Sequence, residues 1–478
     1  MEPMDGISEA PPASSPEAPE VSPGLPKAKA GKGKKFWIIV SSLVVLVIAA
    51  GVFGAWMLLH KDSSKTSTST VKTVTDDPNT ITVWSWNTAA KALKQLVPDF
   101  NKVYPNIKVN VVEIPYNEAN AKYKTAVSTG VGFPDVMDTE GPVTPGYISS
   151  GALLDITSLA GKYQNDYVSY KWAEVTKDGK VYGLPWDSAP VGTFYRRDIF
   201  SAAGVNPDSI KTWDDYIAAG KKVAKDTNGD GKVDQYMTLM SSKQDVGDIF
   251  QTLLCEYGGS EYDTAGNATF NSPQATQAAT LMKKIIDSGI ASNVGWWTPE
   301  MYNGIKNGTI ASLTTGVWMG GQIKDTAPAL SGQWGVMPVP AVATGGVRSA
   351  VRGGSNLAIT AKSKKADKAW KFIEFALANK DSQVKMYKNY DIFPALISTY
   401  SDPVFSQANA YFGNQNTSQL FITAQNTMPT TYHYGPYTLE ANQILSAQMV
   451  GALAGQQTID QALANTETKV NAVLKGTK

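Results

Sequence analysis

The segment Phe36–Leu59, FWIIVSSLVVLVIAAGVFGAWMLL, contains no Asp, Glu, Lys or Arg. Roughly two dozen residues wound as a helix at ~1.5 Å each cross the ~30 Å hydrocarbon layer of a bilayer. Five lysines, Lys27 to Lys35, precede the run, and only His60, Lys61 and Asp62 follow it directly. The excess of positive charge places the N-terminus in the cytoplasm and the rest of the chain outside. Trp37 and Trp56 stand at the ends of the run, where interfacial rings belong. A cleaved secretory signal is the competing reading, since AAG and VFG offer small residues to a peptidase. The length of the run and of the tail before it favours an uncleaved anchor.

The segments on either side of this run lack an apolar period. Residues 1–26 are rich in Pro, Ala, Glu and Ser and cannot bury enough surface to offset chain entropy. Residues 1–35 are therefore expected to form a disordered cytoplasmic tail, 36–59 a transmembrane anchor, and the Ser/Thr-rich 60–79 a flexible stalk. With 478 residues in all, the remaining ~400 suit two compact units. Lys plus Arg (43) nearly cancel Asp plus Glu (42), so charge points to no nucleic-acid partner. The lone cysteine, Cys255, and two histidines, His60 and His433, exclude a disulfide framework and a Cys/His metal cluster. Cys255, among apolar neighbours, reads as a small buried side chain. No cysteine ends the apolar run to receive a lipid.

From Thr80 the pattern is regular. ITVWSW reads as a strand, Leu93, Leu96, Val97, Phe100 and Val103 as one face of a helix, IKVNVVEI as a second strand and PDVMD as a third. Alternating strands and helices predict a parallel, doubly wound sheet covered on both faces. Ligands gather at the carboxyl ends of such strands. That rule puts Ser85 to Asn87 and Asp138 to Gly141 on one rim. TWDDYIAAGKKVAKD carries a capping box ahead of an amphipathic helix that buries Trp213, Tyr216 and Val223, and SPQATQAATLMKKIIDSG is a second capped helix, ended by Gly289.

In KVYGLPWDSAPVGTFYRRDIF a Trp-Asp pair, Trp186 and Asp187, stands between Pro185 and Pro190. Sugars carry hydroxyls on the ring edge and C–H groups on the faces, so a site for them needs flat rings beside carboxylates and amides. The prolines restrict the backbone and reduce the ordering cost of binding. Trp186 as a core residue, with Asp187 a turn residue, is the equal alternative. Aromatic residues recur at predicted loops, as Trp86 with Asn87, Trp296 with Trp297, Trp318 in TTGVWMGGQ, and Tyr437 in YHYGPY. Together they suggest an aromatic-lined cleft.

The fragments ITVWSWN, GFPDV, GKVYGLPWDSAPVGTFYRRDIF, TWDDYIAAGKKVAKD, GVWMGGQ, WGVMPVPA, GGSNLAITAKSKKADKAWKFIEFAL and GQQTIDQALANTETKVNAVL, in that order from Thr80 to Lys478, resemble the extracellular solute-binding proteins of ABC sugar importers, the maltodextrin-binding-like family. The resemblance implies an α/β, two-lobed periplasmic-binding-protein-like fold with three inter-lobe crossings, here preceded by one transmembrane helix. Lobe 1 would comprise 80–190 and 345–392, and lobe 2 would comprise 191–344 and 393–478. The crossings would lie near Pro190–Tyr195, Pro338–Arg348 and Asp391–Ala395. It also implies that the protein is no enzyme but a monomer that binds an oligosaccharide and delivers it to ABC permease subunits in the membrane. The family's cleft positions fall on Trp86, Asn87, Glu140, Asp187, Trp318, Gly354, Ser355, Asn356 and Tyr437. Trp297 joins them as an aromatic loop residue, and Trp318 is the first choice for the stacking ring. The family's lipid-bearing cysteine is missing, which leaves anchoring to the apolar run.

Two competing functions remain. A surface glycosidase would use a carboxylate pair such as Glu140 and Asp187. A sugar sensor would signal through the membrane anchor to the cytoplasmic tail. No cofactor is required, but DTNGDGKVDQYM places Asp226, Asn228, Asp230 and Asp234 at positions 1, 3, 5 and 9 of a calcium loop, with Gly231 at its turn. Met237 stands where the bidentate Glu belongs, so a structural Ca2+ competes with a plain Asx-rich turn. GVG before Phe133 lacks the rest of a phosphate cradle, which argues against a nucleotide.

Overall fold

The computed structural model describes residues 77–243, 246–429 and 431–476. The expected tail, membrane span and nearly all of the stalk lie outside the described residues. Among the described residues no helix is long and apolar enough to cross a membrane.

Twelve strands are named in chain order: β1 (Thr80–Trp86), β2 (Lys108–Ile114), β3 (Val136–Glu140), β4 (Thr176–Lys177), β5 (Lys180–Val181), β6 (Leu184–Pro185), β7 (Val191–Arg196), β8 (Tyr236–Leu239), β9 (Ala291–Ser292), β10 (Ile310–Gly316), β11 (Trp334–Pro338) and β12 (Ser355–Ile359). One five-stranded sheet runs β2-β1-β3-β12-β6, the other β11-β7-β10-β8-β9, and β4-β5 is a small hairpin. Neither large sheet is all-parallel, contrary to the doubly wound expectation. In the first, β1 pairs in parallel with β2 and β3, while β12 pairs antiparallel with β3 and β6. In the second, β7 lies antiparallel to both β10 and β11, whereas β8 is parallel to β10 and β9. Parallel neighbours need a crossover within their own sheet. β12 instead arrives from the other lobe, and β7 leaves for it, so neither is held to that direction.

The inner strands of both sheets are buried on two faces, while the edge strand β2 is largely open, and side-chain alternation sorts the cores. In the first lobe Val83, Val136, Leu357 and Ile359 face one cluster with Leu93, Phe100 and Phe372. Their neighbours Trp84, Met137 and Ala358 face another with Tyr123 and Tyr147. In the second lobe Val191, Tyr195, Met237 and Met337 join one core, and Phe194, Leu313, Trp334 and Val336 the other.

The first helix of the sequence reading is two helices, Asn87–Lys94 and Val97–Val103. Pro98 has no N–H to donate, so the chain breaks and restarts there. Leu93, Leu96 and Phe100 are buried as expected, but Val103 is 57% exposed. The helix Trp213–Val223 has its capping box between Thr212 and Asp215, and Trp213, Tyr216 and Val223 are buried. The Trp213 indole N–H also donates to Glu256 at 2.9 Å.

The chain passes between the lobes three times, and the passages hydrogen-bond to one another. Trp186–Pro190 links β6 to β7, slightly earlier than expected. Arg348 donates to the Pro338, Val339 and Ile210 carbonyls within the second lobe, so the passage expected at Pro338–Arg348 is made instead between Val351 and β12. The Val191 and Arg352 amides bond the Ala350 and Ala189 carbonyls at 2.9 Å each, and Trp186 N bonds Ser355 O at 3.0 Å. On the other side Ser188 N donates to Phe393 O at 2.8 Å and Ala395 N to Trp186 O at 3.0 Å. The middle passage is thus bound on both sides. Trp186 has no exposed surface and packs in the first lobe's core, so it is no stacking ring. Asp187, the next residue, points the other way.

Replacing Trp186 by Ala should cost about 3–5 kcal/mol, as large aromatic truncations in a core do. An unchanged urea midpoint would place the ring outside the core. Glu261 has no exposed surface, and burial pushes its pKa up to about 8, opposed by the Tyr432 hydroxyl. The fold therefore holds a proton that the unfolded chain releases near pH 4.5, and stability falls as pH rises from there to about 8 and then levels off. Glu261→Gln should remove that loss, making the variant more stable than wild type at pH 8 by on the order of a few kcal/mol. Parallel melting curves of the two proteins from pH 5 to 9 check this.

Candidate functional site

A cleft of about 600 Å³ lies between the lobes. Its volume is in the range of small-molecule sites. Strand ends build its first wall. β1 ends at Trp86 and turns through Asn87 into the helix Asn87–Lys94, β2 ends just before Pro115 and Tyr116, and β3 ends at Glu140. The rings of Trp86 and Tyr116 meet edge to face at 5.7 Å, and the Tyr116 hydroxyl donates to Glu140 Oε2 at 2.8 Å. The opposite wall carries Trp297, Tyr302, Trp318, Gln322 and Asp325. Asp187, Gly354, Ser355, Asp391 and Phe393 from the three passages close the back.

Trp318 follows β10, and its indole folds back onto the strand end, where Gly316 has no side chain. A Cβ there would lie 2.3 Å from Trp318 Nε1. The indole N–H donates to Arg352 O at 3.1 Å. Trp297 stacks on this ring with centroids 5.3 Å apart and planes 29° apart. The Arg352 guanidinium sits 4.8 Å from the Trp296 ring and 5.9 Å from that of Trp318, within cation–π reach. Trp297 is 45% exposed, an unusual surface for a tryptophan, and so offers a flat apolar face.

Backbone strain gathers at the same place. Five described non-glycine residues have positive φ, and three of them, Asn87 (40°), Trp297 (63°) and Asp391 (55°), line the cleft. Left-handed backbone is costly for a residue as bulky as Trp and is found at ligand clamps. Asp391 is fixed by Lys324, whose Nζ reaches its two oxygens at 2.9 and 3.0 Å.

Burial raises the pKa values of both Glu140 and Asp187. Tyr116 and Lys171 oppose the shift at Glu140. At Asp187 Lys171 and the Ser355 amide, which donates to Oδ1 at 2.6 Å, do so. The cleft therefore offers partly buried carboxylate acceptors with neighbouring rings, a surface suited to hydroxyls on an apolar frame.

Of the residues nominated from the sequence, Trp86, Asn87, Glu140, Asp187, Trp297, Trp318, Gly354 and Ser355 line this cleft. Asn356 does not. It has no exposed surface, and its amide donates to Thr144 Oγ1 at 3.2 Å and Glu174 Oε2 at 3.3 Å. The period of the strand turns it inward, away from Ser355. Tyr437 is half-buried before the helix Thr438–Leu453 and is not part of the cleft lining. Tyr116, Tyr302, Gln322, Asp325 and Asp391 were missed. Tyr116 was legible, since it follows a strand end on the same rim as Trp86 and Glu140.

In the Asp-rich loop, Asp226 accepts from the Asn228, Gly229 and Gly231 amides, Asn228 from that of Asp230, and Asp230 from that of Lys232. Asp234 accepts from Thr227 N and Oγ1. These are Asx turns closed on the loop itself. Among the described residues no group of three or more His, Cys, Asp or Glu is placed to hold a metal.

Residues 84–383 match the family model described as bacterial extracellular solute-binding protein. The arabinooligosaccharide-binding protein of Bacillus subtilis (strain 168) is 28% identical over 396 residues, covering 80% of this chain and 90% of that protein. The lactose-binding protein of Rhizobium radiobacter is 24% identical over 80% and 90% of the two chains. Among solved structures, the ABC transporter associated binding protein from B. animalis subsp. lactis Bl-04, in complex with β-1,6-galactobiose, is 30% identical, covers 84% of this chain and 98% of that one, and superposes with a TM-score of 0.72. That solved structure shares the fold, and with the family match running from β1 through the hinge to the helix Lys380–Tyr390, the chain belongs to the bacterial extracellular solute-binding proteins.

Proposed function

We propose that the protein captures an oligosaccharide outside the cell, closes its two lobes on it and hands it to the permease of an ABC importer. The observation that carries this reading is the pairing, across one hinged cleft, of Trp86 and Tyr116 beside Glu140 with Trp297 and Trp318. Indole and phenol faces cover the C–H faces of sugar rings, while Glu140 and Asp187 accept hydroxyl protons. A ligand touching both walls gains contacts only when the lobes are together, so its binding shifts the population to the closed form. The galactobiose, lactose and arabinooligosaccharide named for the relatives are the sugars to try first.

The relatives are described as binding proteins, which supports capture without chemistry. A glycosidase built on Glu140 and Asp187 would release product from a bound sugar. The run Phe36–Leu59 supports a single-pass tether with the N-terminus in the cytoplasm, and the Ser/Thr-rich stalk supports a body held off the bilayer. Signalling through the tail is the second task such an anchor allows.

Calorimetric titration with a panel of neutral mono- and oligosaccharides tests the reading. Saturable heat with at least one oligosaccharide, and no product, is the expected result, and silence across the panel refutes it. Trp318→Ala and Trp297→Ala should each weaken binding by about 2 kcal/mol, roughly 30-fold, because each removes half of the ring stack that a bound sugar would cover. Wild-type affinity in both would move the sugar away from that wall.

A further inference from the structure

A cation that does not line the cleft touches its aromatic wall. Arg352, in the second passage, is 9% exposed, and neither it nor Trp296 belongs to the cleft lining. Its guanidinium carbon lies 4.8 Å from the centre of the Trp296 ring and 5.9 Å from that of Trp318. Its backbone is engaged at both ends. The amide donates to Ala189 O in the first passage at 2.9 Å, and the carbonyl accepts from the Trp318 indole N–H at 3.1 Å. One hinge residue thus reaches the first passage and the rings of Trp296 and Trp318.

A single hydrogen bond to Nε1 fixes one point of the Trp318 ring and leaves its tilt free. The guanidinium supplies a second constraint, because ring faces attract a permanent charge and a planar fork lies against them as an ammonium does not. Trp297 stacks on Trp318 with centroids 5.3 Å apart, and its centroid is 6.4 Å from that of Trp296. The orientation of this exposed ring therefore follows from the two that Arg352 touches. The next residues carry the same strap to the polar half of the cleft. A Cβ on Gly353 would stand 3.6 Å from both Glu140 Oε1 and Trp318 Nε1, and Ser355 N donates to Asp187 Oδ1 at 2.6 Å. Burying a charged side chain costs free energy that an apolar one of the same size does not, which argues for a task beyond filling space.

The geometry points to Arg352 as a positioning residue for ligand capture: its side chain sets the tilt of Trp318 and, through it, of Trp297, so that both rings meet a sugar whose hydroxyls are held at Glu140 and Asp187, while Arg352 itself touches no ligand. This rests on the oligosaccharide reading above.

The test pairs two readouts on the whole protein. One is affinity for β-1,6-galactobiose, and for any other sugar the panel identifies. The other, read without sugar, is the far-ultraviolet circular-dichroism couplet that stacked indoles give, assigned as the difference between wild type and Trp297→Ala. Arg352→Met keeps an apolar stem without the cation, and should lose about tenfold in affinity and most of the couplet. Arg352→Lys restores the charge without the planar fork and should regain part of both. Trp296→Leu, outside the cleft lining, should weaken binding as Arg352→Met does, and the double variant should bind about as weakly as either alone, because both remove the same contact. Trp296→Leu and Arg352→Lys keep the test open if Arg352→Met does not fold. A wild type that binds no sugar overturns the oligosaccharide reading and this inference with it. A wild type that binds, with affinity or couplet unmoved in the folded variants, overturns this inference alone.

Discussion

The backbone bonding of Trp186–Pro190 to both other passages holds the two lobes in one frame. Its amides and carbonyls reach Ser355, Ala350 and Arg352 on one side and Phe393 and Ala395 on the other. Because extended backbone alternates its side chains, the same stretch can bury Trp186 in the first lobe and turn Asp187 into the cleft. Pro185 and Pro190 lack N–H groups and cannot compete for these partners. A stiff, paired hinge allows the lobes to swing as bodies while the residues at its centre stay in register with both walls.

The walls divide the work of recognition by chemistry. Rings come from loops after strands, and each is held by a neighbour: Trp318 by Arg352 O, Trp297 by Trp318, Tyr116 by Glu140. Carboxylates come from a strand end and the hinge, where burial raises their pKa values and the Lys171 charge opposes the rise. Strained backbone at Asn87, Trp297 and Asp391 aims side chains from the first lobe, the second lobe and the hinge at one volume. Preorganisation of this kind lowers the ordering cost paid on binding.

Much of this was legible from local pattern. Strand ends at Trp86 and Glu140, the capping box at Thr212, and tryptophans placed at loops all follow from spacing and side-chain chemistry. What escaped depends on the other lobe. The direction of β12 and β7 is set by where the chain comes from or goes to, which no local window records. Trp186, at the back of the cleft, and Asn356, beside it, bury their side chains next to Asp187 and Ser355, and only the register of the hinge and of β12 decides which way each faces. Lys171 and Glu174, in SYKWAE, look like an ordinary exposed helical pair until Gly141 and Gly354 are found lying over them. Pro98 was visible, but the apolar spacing on either side of it masked the break.

Solving the crystal structure of the protein grown with β-1,6-galactobiose or an arabinooligosaccharide tests the central claim most directly. The account predicts sugar density between the Trp86–Tyr116 and Trp297–Trp318 walls, with hydroxyls within hydrogen-bond distance of Glu140 and Asp187 and the lobes closed over it. A sugar seated elsewhere on the surface, or an empty cleft at saturating sugar, would contradict it.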